Sequence, residues 1–112
     1  MLISSGASTS AYTTWGAYGS SKAAQNHLAL TLSVEEPLIT TLAIRPGTVD
    51  TEMQGVIRSV GPAVMDPADM AKFTALHEDK KLLSPQLVGG VVGRIAVGGK
   101  DGEGKLSGRF LT

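Results

Sequence analysis

With 112 residues, 42% of them hydrophobic, the chain is one domain at most and too apolar for a disordered linker or tail. Ten basic and ten acidic residues give zero formal charge, so there is no basic field for nucleic acid and no polybasic anchor for anionic lipid. The absence of cysteine removes disulfide frameworks, Cys-ligated zinc and thiol nucleophiles together.

The first residues, Met1-Leu2-Ile3-Ser4-Ser5, carry no charged region and no long apolar stretch. They read as neither a signal peptide nor a membrane span, and a soluble, cytoplasmic protein without a membrane partner is the expectation. Met1 to Ser5 is a short strand by composition, entering a loop from Gly6 to Thr14 in which Ala, Ser and Thr dominate. Ligands of open α/β sheets sit outside the carboxyl ends of the strands, which is where Ser5 would lie. The plain alternative is a loop serine bonded to its own backbone.

A long helix is expected from Gly16 to Ser33. Ala24, Leu28 and Leu32 recur at steps of four, and Ala17 and Ser21 continue that stripe. Small residues in its first half, Gly19, Ser20, Ser21, Ala23 and Ala24, let another helix or the sheet approach closely. His27 has no second ligand at metal spacing and reads as surface or packing, so no metal site is expected. The same helix carries Tyr18-Gly-Ser-Ser-Lys22, whose Tyr and Lys, four apart, share one face. A free phenol is a poor base near pH 7, and an ammonium about 4 Å away favours a phenolate by up to about 4 kcal/mol at an effective dielectric of about 20. That spacing suits a proton-transfer pair, with a nearby serine hydroxyl to hold a carbonyl or alcohol oxygen. Taken alone, Tyr-x-x-x-Lys is a weak signal that an ordinary helix surface also produces.

Glu35-Glu36-Pro37 ends the helix. The β-branched run from Ile39 to Arg45 reads as a strand covered on both faces, giving a parallel strand, helix, strand unit. Pro46-Gly47 breaks that strand at the sheet edge that also holds Ser5. From Glu52 to Leu83 no strand pattern is clean. Asp66-Pro67 opens a helix to about His77, and Met53, Val56, Ile57, Val60, Val64, Met65 and Phe73 suit either a pocket or ordinary packing. Glu78-Asp79-Lys80-Lys81 is a solvated turn. Ser84-Pro85 starts a helix to about Val97, with Leu87, Val91 and Ile95 at steps of four. A glycine-punctuated loop from Lys100 to Lys105 and a last strand from Leu106 to Thr112 complete the chain. Arg94 and Asp101 exclude a phosphate loop at Gly98-Gly99-Lys100, and Ser10 breaks a G-x-S-x-G nucleophile elbow at Gly6.

Ser5 thirteen residues before Tyr18, Lys22 followed by Ala23-Ala24, and Pro46-Gly47-Thr48-Val49-Asp50-Thr51 after the next strand together resemble the short-chain dehydrogenase/reductase family. The resemblance runs essentially from end to end, closing at Leu106-Ser107-Gly108-Arg109-Phe110, and Trp15-Gly16-Ala17-Tyr18 looks closest to the sepiapterin-reductase-like reductases, many of them fungal. It implies an α/β fold: three C-terminal parallel strands of a doubly wound, Rossmann-like sheet with flanking helices. It implies Ser5 polarising the substrate oxygen, Tyr18 as general acid/base, and Lys22 favouring the phenolate and holding the nicotinamide ribose. Pro46, Gly47, Thr48, Val49 and Thr51 would line the nicotinamide of NAD or NADP.

The implied activity is NAD(P)-dependent carbonyl reduction or alcohol oxidation of a small molecule, with a homo-oligomer through the Gly16–Ser33 helix as the implied assembly. Two rivals stand beside it: a sugar-nucleotide epimerase or dehydratase, which also uses Tyr-x-x-x-Lys, and a non-catalytic piece that pairs with full-length relatives. A G-x-G-x-x-G loop to carry the cofactor pyrophosphate occurs nowhere in the 112 residues. Members of the family are typically more than twice this length, so the resemblance implies their C-terminal catalytic part, inactive alone.

Overall fold

The computed structural model describes residues 1–98. The elements run β1 (Leu2–Ile3), a 3-10 turn at Gly6–Ser8, α1 (Gly16–Glu35), β2 (Ala43–Ile44), α2 (Glu52–Val60), a second 3-10 turn at Gly61–Ala63, α3 (Pro67–Glu78) and α4 (Pro85–Ala96). β1 and β2 pair in parallel, Leu2 opposite Ala43 and Ile3 opposite Ile44, with α1 as the crossover. The molecule is therefore an α/β fold with a small parallel sheet. The expected third strand, Leu106 to Thr112, lies outside the described residues.

Both strands are shorter than expected, with a ladder that includes Leu2 N to Leu42 O and Ser4 N to Ile44 O, both 2.7 Å. Leu38 and Ile39, ahead of β2, are exposed.

The packing face of α1 differs from the one its apolar stripe predicts. Of that stripe Ala17, Ser21, Ala24 and Leu28 are exposed and Leu32 is half-buried, and the other less exposed positions are Tyr18, Gly19, Lys22, Gln25, Asn26, Thr31 and the buried Ala29. Two long-range features select that face. A Cβ on Gly19 would stand 2.7 Å from the carbonyl oxygen of Ala7, so only glycine lets the helix approach the Gly6–Ser8 turn this closely. About two turns further on, Asn26 Nδ2 donates to Ser8 Oγ at 2.9 Å.

The main apolar cluster lies away from the strands. Ile57, Met65, Met70 and Phe73 are buried between α2, α3 and the turn joining them, and Tyr12 and Trp15 pack on it from the loop before α1. α2 was not expected from the sequence; Ile57 on its inner face anchors it to this cluster. α3 begins as its cap predicts, with Asp66 accepting from Ala68 N at 2.8 Å and Pro67 at the first helical position. α4 begins at the Ser84 cap, whose Oγ accepts from Leu87 N at 3.4 Å, yet it holds no buried residue, and Leu87 and Val91 of its apolar stripe are exposed. Glu78 closes α3, and Asp79 and Lys80 form an exposed turn after it, with Lys81 paired to Asp79 at 2.9 Å.

Candidate active site

A cleft of about 490 Å³ opens where β1 and β2 end. Ser5 follows β1, Tyr18 and Lys22 project from the first turns of α1, and Pro46 to Val49 with Thr51 form the opposite wall; all of them line the cleft. Position 47 requires glycine, because its φ of +80° is left-handed and a Cβ would meet Leu83 Cδ1 at 2.9 Å. The wall is clamped by a parallel bridge between Val49 and Leu83, with Leu83 N donating to Thr48 O and Asp50 N to Leu83 O, each at 2.9 Å. This bridge was not legible in the sequence.

Ser5 caps the Gly6–Ser8 turn, its Oγ accepting from Ala7 N at 3.2 Å. The local backbone bond is thus present, and it leaves the hydroxyl proton free to donate to an oxygen in the cleft. Lys22 Nζ donates to Ile3 O at 2.8 Å and to Gln25 Oε1 at 3.4 Å, and stands 5.7 Å from the centre of the Tyr18 ring. The bond to Ile3 ties the ammonium to β1. Two of its three N–H groups are used, leaving one for a ligand.

Four aromatic rings crowd one end of the cleft. Trp15 lies 5.1 Å from Tyr12, 5.3 Å from Phe73 and 5.7 Å from Tyr18, the last edge-on at 84°. Phe73 and Met53 were among the residues suited to a pocket and do line it; Ile57 and Met65 instead fill the core, and Val56, Val60 and Val64 are exposed. Tyr12, Trp15 and Gln54 were not singled out as lining residues. Two aromatics in an otherwise small-residue run just ahead of Tyr18 were the available signal for the first two. Beside Tyr12, the hydrogen bond to the Asp69 carboxylate, 3.1 Å away, raises Lys72 above the ordinary lysine range.

The buried Ser4 and Gln54 also line the cleft, and Ser4 Oγ and Gln54 Oε1 make no hydrogen bond among the described residues. No group of three His, Asp or Glu among those residues could hold a metal ion. No helix among them is long and apolar enough to cross a membrane.

A hydroxyl donor, a phenol and an ammonium thus stand together in one cleft at the carboxyl end of parallel strands. The family model described as short chain dehydrogenase matches residues 1–60. An uncharacterized oxidoreductase of Saccharomyces cerevisiae is 40% identical over 100% of this chain and 44% of its own length. A benzil reductase, (S)-benzoin forming, of the same yeast is 40% identical over 99% of this chain and 43% of its own. Sepiapterin reductase of Rattus norvegicus is 36% identical over 62% of the chain. The crystal structure of the KRED1-Pglu enzyme superposes with a TM-score of 0.83 at 50% identity, over 92% of this chain and 44% of that one. The chain thus spans less than half the length of the yeast relatives it matches. With the motif spacing, the strand-helix-strand unit and these relatives in accord, the chain belongs to the short-chain dehydrogenase family.

Proposed function

We propose that residues 1–112 are the C-terminal catalytic part of an NAD(P)-dependent carbonyl reductase, acting in the cytoplasm on a small ketone or its alcohol. The dinucleotide-binding half would be supplied from outside this sequence. The observation that carries the reading is the convergence of Ser5, Tyr18 and Lys22 on one cleft walled by Pro46 to Thr51. The residues present suit the nicotinamide end of the cofactor. Lys22 keeps one N–H for a ribose hydroxyl, and the left-handed Gly47 turns the backbone of the wall past the cleft without a side chain in the way. When bound, the cofactor supplies the hydride.

Ser5 hydrogen-bonds the substrate oxygen through its free O–H and keeps its proton, while Tyr18 transfers the phenolic proton to that oxygen as charge develops there. Lys22, fixed to Ile3 O, holds positive charge beside the ring as the phenol becomes phenolate. Trp15, Tyr12 and Phe73 form an aromatic wall next to Tyr18, which favours a ketone carrying a flat aromatic ring. The benzil reductase name of one relative is in keeping with that wall. The exposed Leu28, Leu30 and Val34 on α1 support a homo-oligomer through that helix.

The test is turnover by this chain joined behind the dinucleotide-binding half of the yeast benzil reductase. Aromatic ketones should be reduced, and Tyr18→Phe should cut the rate by about two to four orders of magnitude with the fold kept. Near-normal turnover in Tyr18→Phe would overturn the assignment.

A further inference from the structure

Gln54 is an amide in an unusual position. It lies on the inner face of α2, one turn before the core residue Ile57, and is only 7% exposed. It lines the same cleft as Ser5 and Tyr18, yet its Oε1 accepts no hydrogen bond from any described residue. Buried amide oxygens are normally paired, because leaving one dry and unpaired opposes folding. Arg58, four residues on, has a buried Nη1 that is also unpaired, so the two do not satisfy one another. A leucine would fill much the same volume with no polar atom to satisfy. The position therefore keeps a buried polar group in a cleft that Phe73, Tyr12 and Trp15 also line.

We propose that Gln54 is a specificity-determining residue whose amide hydrogen-bonds a second oxygen of the substrate, on the carbon next to the carbonyl held by Ser5 and Tyr18. The substrate class is then an aryl ketone oxygenated at the adjacent carbon: a vicinal diketone or an α-hydroxyketone. A primary amide serves both, because its N–H donates to a ketone oxygen and its Oε1 accepts from a hydroxyl, and a half-turn of the planar group exchanges the two ends. A simple aryl ketone leaves the amide unpaired and is discriminated against on that account, as expected where a site built for a hydrogen bond meets a ligand lacking it. This inference rests on the carbonyl-reductase reading for the placement of the first oxygen, but its test does not use turnover.

The experiment is ketone binding to the 112-residue chain without dinucleotide, followed in two-dimensional NMR by the indole N–H of Trp15, the single tryptophan. Three ligands with the same two phenyl rings are compared: benzil with two carbonyls, benzoin with a carbonyl and a hydroxyl, and deoxybenzoin with one carbonyl. Benzil and benzoin should bind about tenfold more tightly than deoxybenzoin, the discrimination expected of one hydrogen bond to a buried amide. Gln54→Leu should abolish that advantage and raise the melting temperature. Gln54→Glu, an acceptor only, should keep benzoin and lose benzil. Equal affinities in the wild type, an advantage that survives Gln54→Leu, or no saturable binding by the folded chain would each overturn the proposal. Failure of the Tyr18→Phe turnover test would leave these binding ratios untouched, so the two readings fail separately.

Discussion

Replacing Gly19 by Ala puts a methyl group 2.7 Å from the carbonyl oxygen of Ala7, a backbone atom that cannot swing aside. Relief to ordinary van der Waals contact requires α1 to move off the Gly6–Ser8 turn by about 0.7 Å. Two terms oppose each other. Alanine gains about 1 kcal/mol over glycine inside a helix, whereas overpacking of this kind costs about 1–3 kcal/mol. The net is a loss of about 1 kcal/mol, or about 4–8 °C in melting temperature for a domain of this size. Gly55 is the control: it lies inside α2, and a Cβ there meets nothing within 4 Å. The same change at Gly55 should therefore stabilise by up to about 1 kcal/mol. The assay is thermal unfolding of both variants, followed by circular dichroism. The displacement also moves Tyr18 and Lys22 away from Ser5, so Gly19→Ala should lower turnover of the joined enzyme by about tenfold, given that misplacement by 1 Å costs about a hundredfold. A Gly19→Ala variant as stabilised as Gly55→Ala, with normal turnover, would refute the claim that this glycine sets the distance between helix and serine turn.

Lys22→Met should lower turnover of the joined enzyme by about a hundredfold, because the ammonium tied to Ile3 O beside the Tyr18 ring is lost; near-normal turnover would dismiss the pairing. Phe73→Ala should cost about 3–5 kcal/mol in urea titration, since it empties the centre of the main apolar cluster. Asp66→Ala should cost about 1 kcal/mol through the lost bond to Ala68 N, with Asp66→Asn closer to the wild type.

Much of the candidate site's grouping was written in local spacing. Four residues along a helix bring Tyr18 and Lys22 to one face whatever that helix packs on, and the caps at Asp66-Pro67 and Ser84-Pro85 are chemistry between near neighbours. What could not be read depends on contacts far apart in sequence. The face that α1 turns inward is chosen by Ala7, Ser8 and Ile3, so the apolar stripe through Ala24 and Leu28 misled. α2 was missed because Gly55 and its β-branched residues weaken the helical signal, while burial of Ile57 against Met65, Met70 and Phe73 stabilises it. Gln54 gave no signal, since a polar residue reads as solvent-facing until its burial is seen.

The central claim is that Ser5 and Tyr18 act on one and the same substrate oxygen, and a double-mutant cycle on turnover tests it most directly. In the chain joined to a dinucleotide-binding half, Ser5→Ala and Tyr18→Phe are measured singly and together with benzil as substrate. Groups that act as a unit lose their effect together, so the double variant should be slower than Tyr18→Phe by no more than about threefold. A double variant in which the two single losses multiply in full would contradict the account.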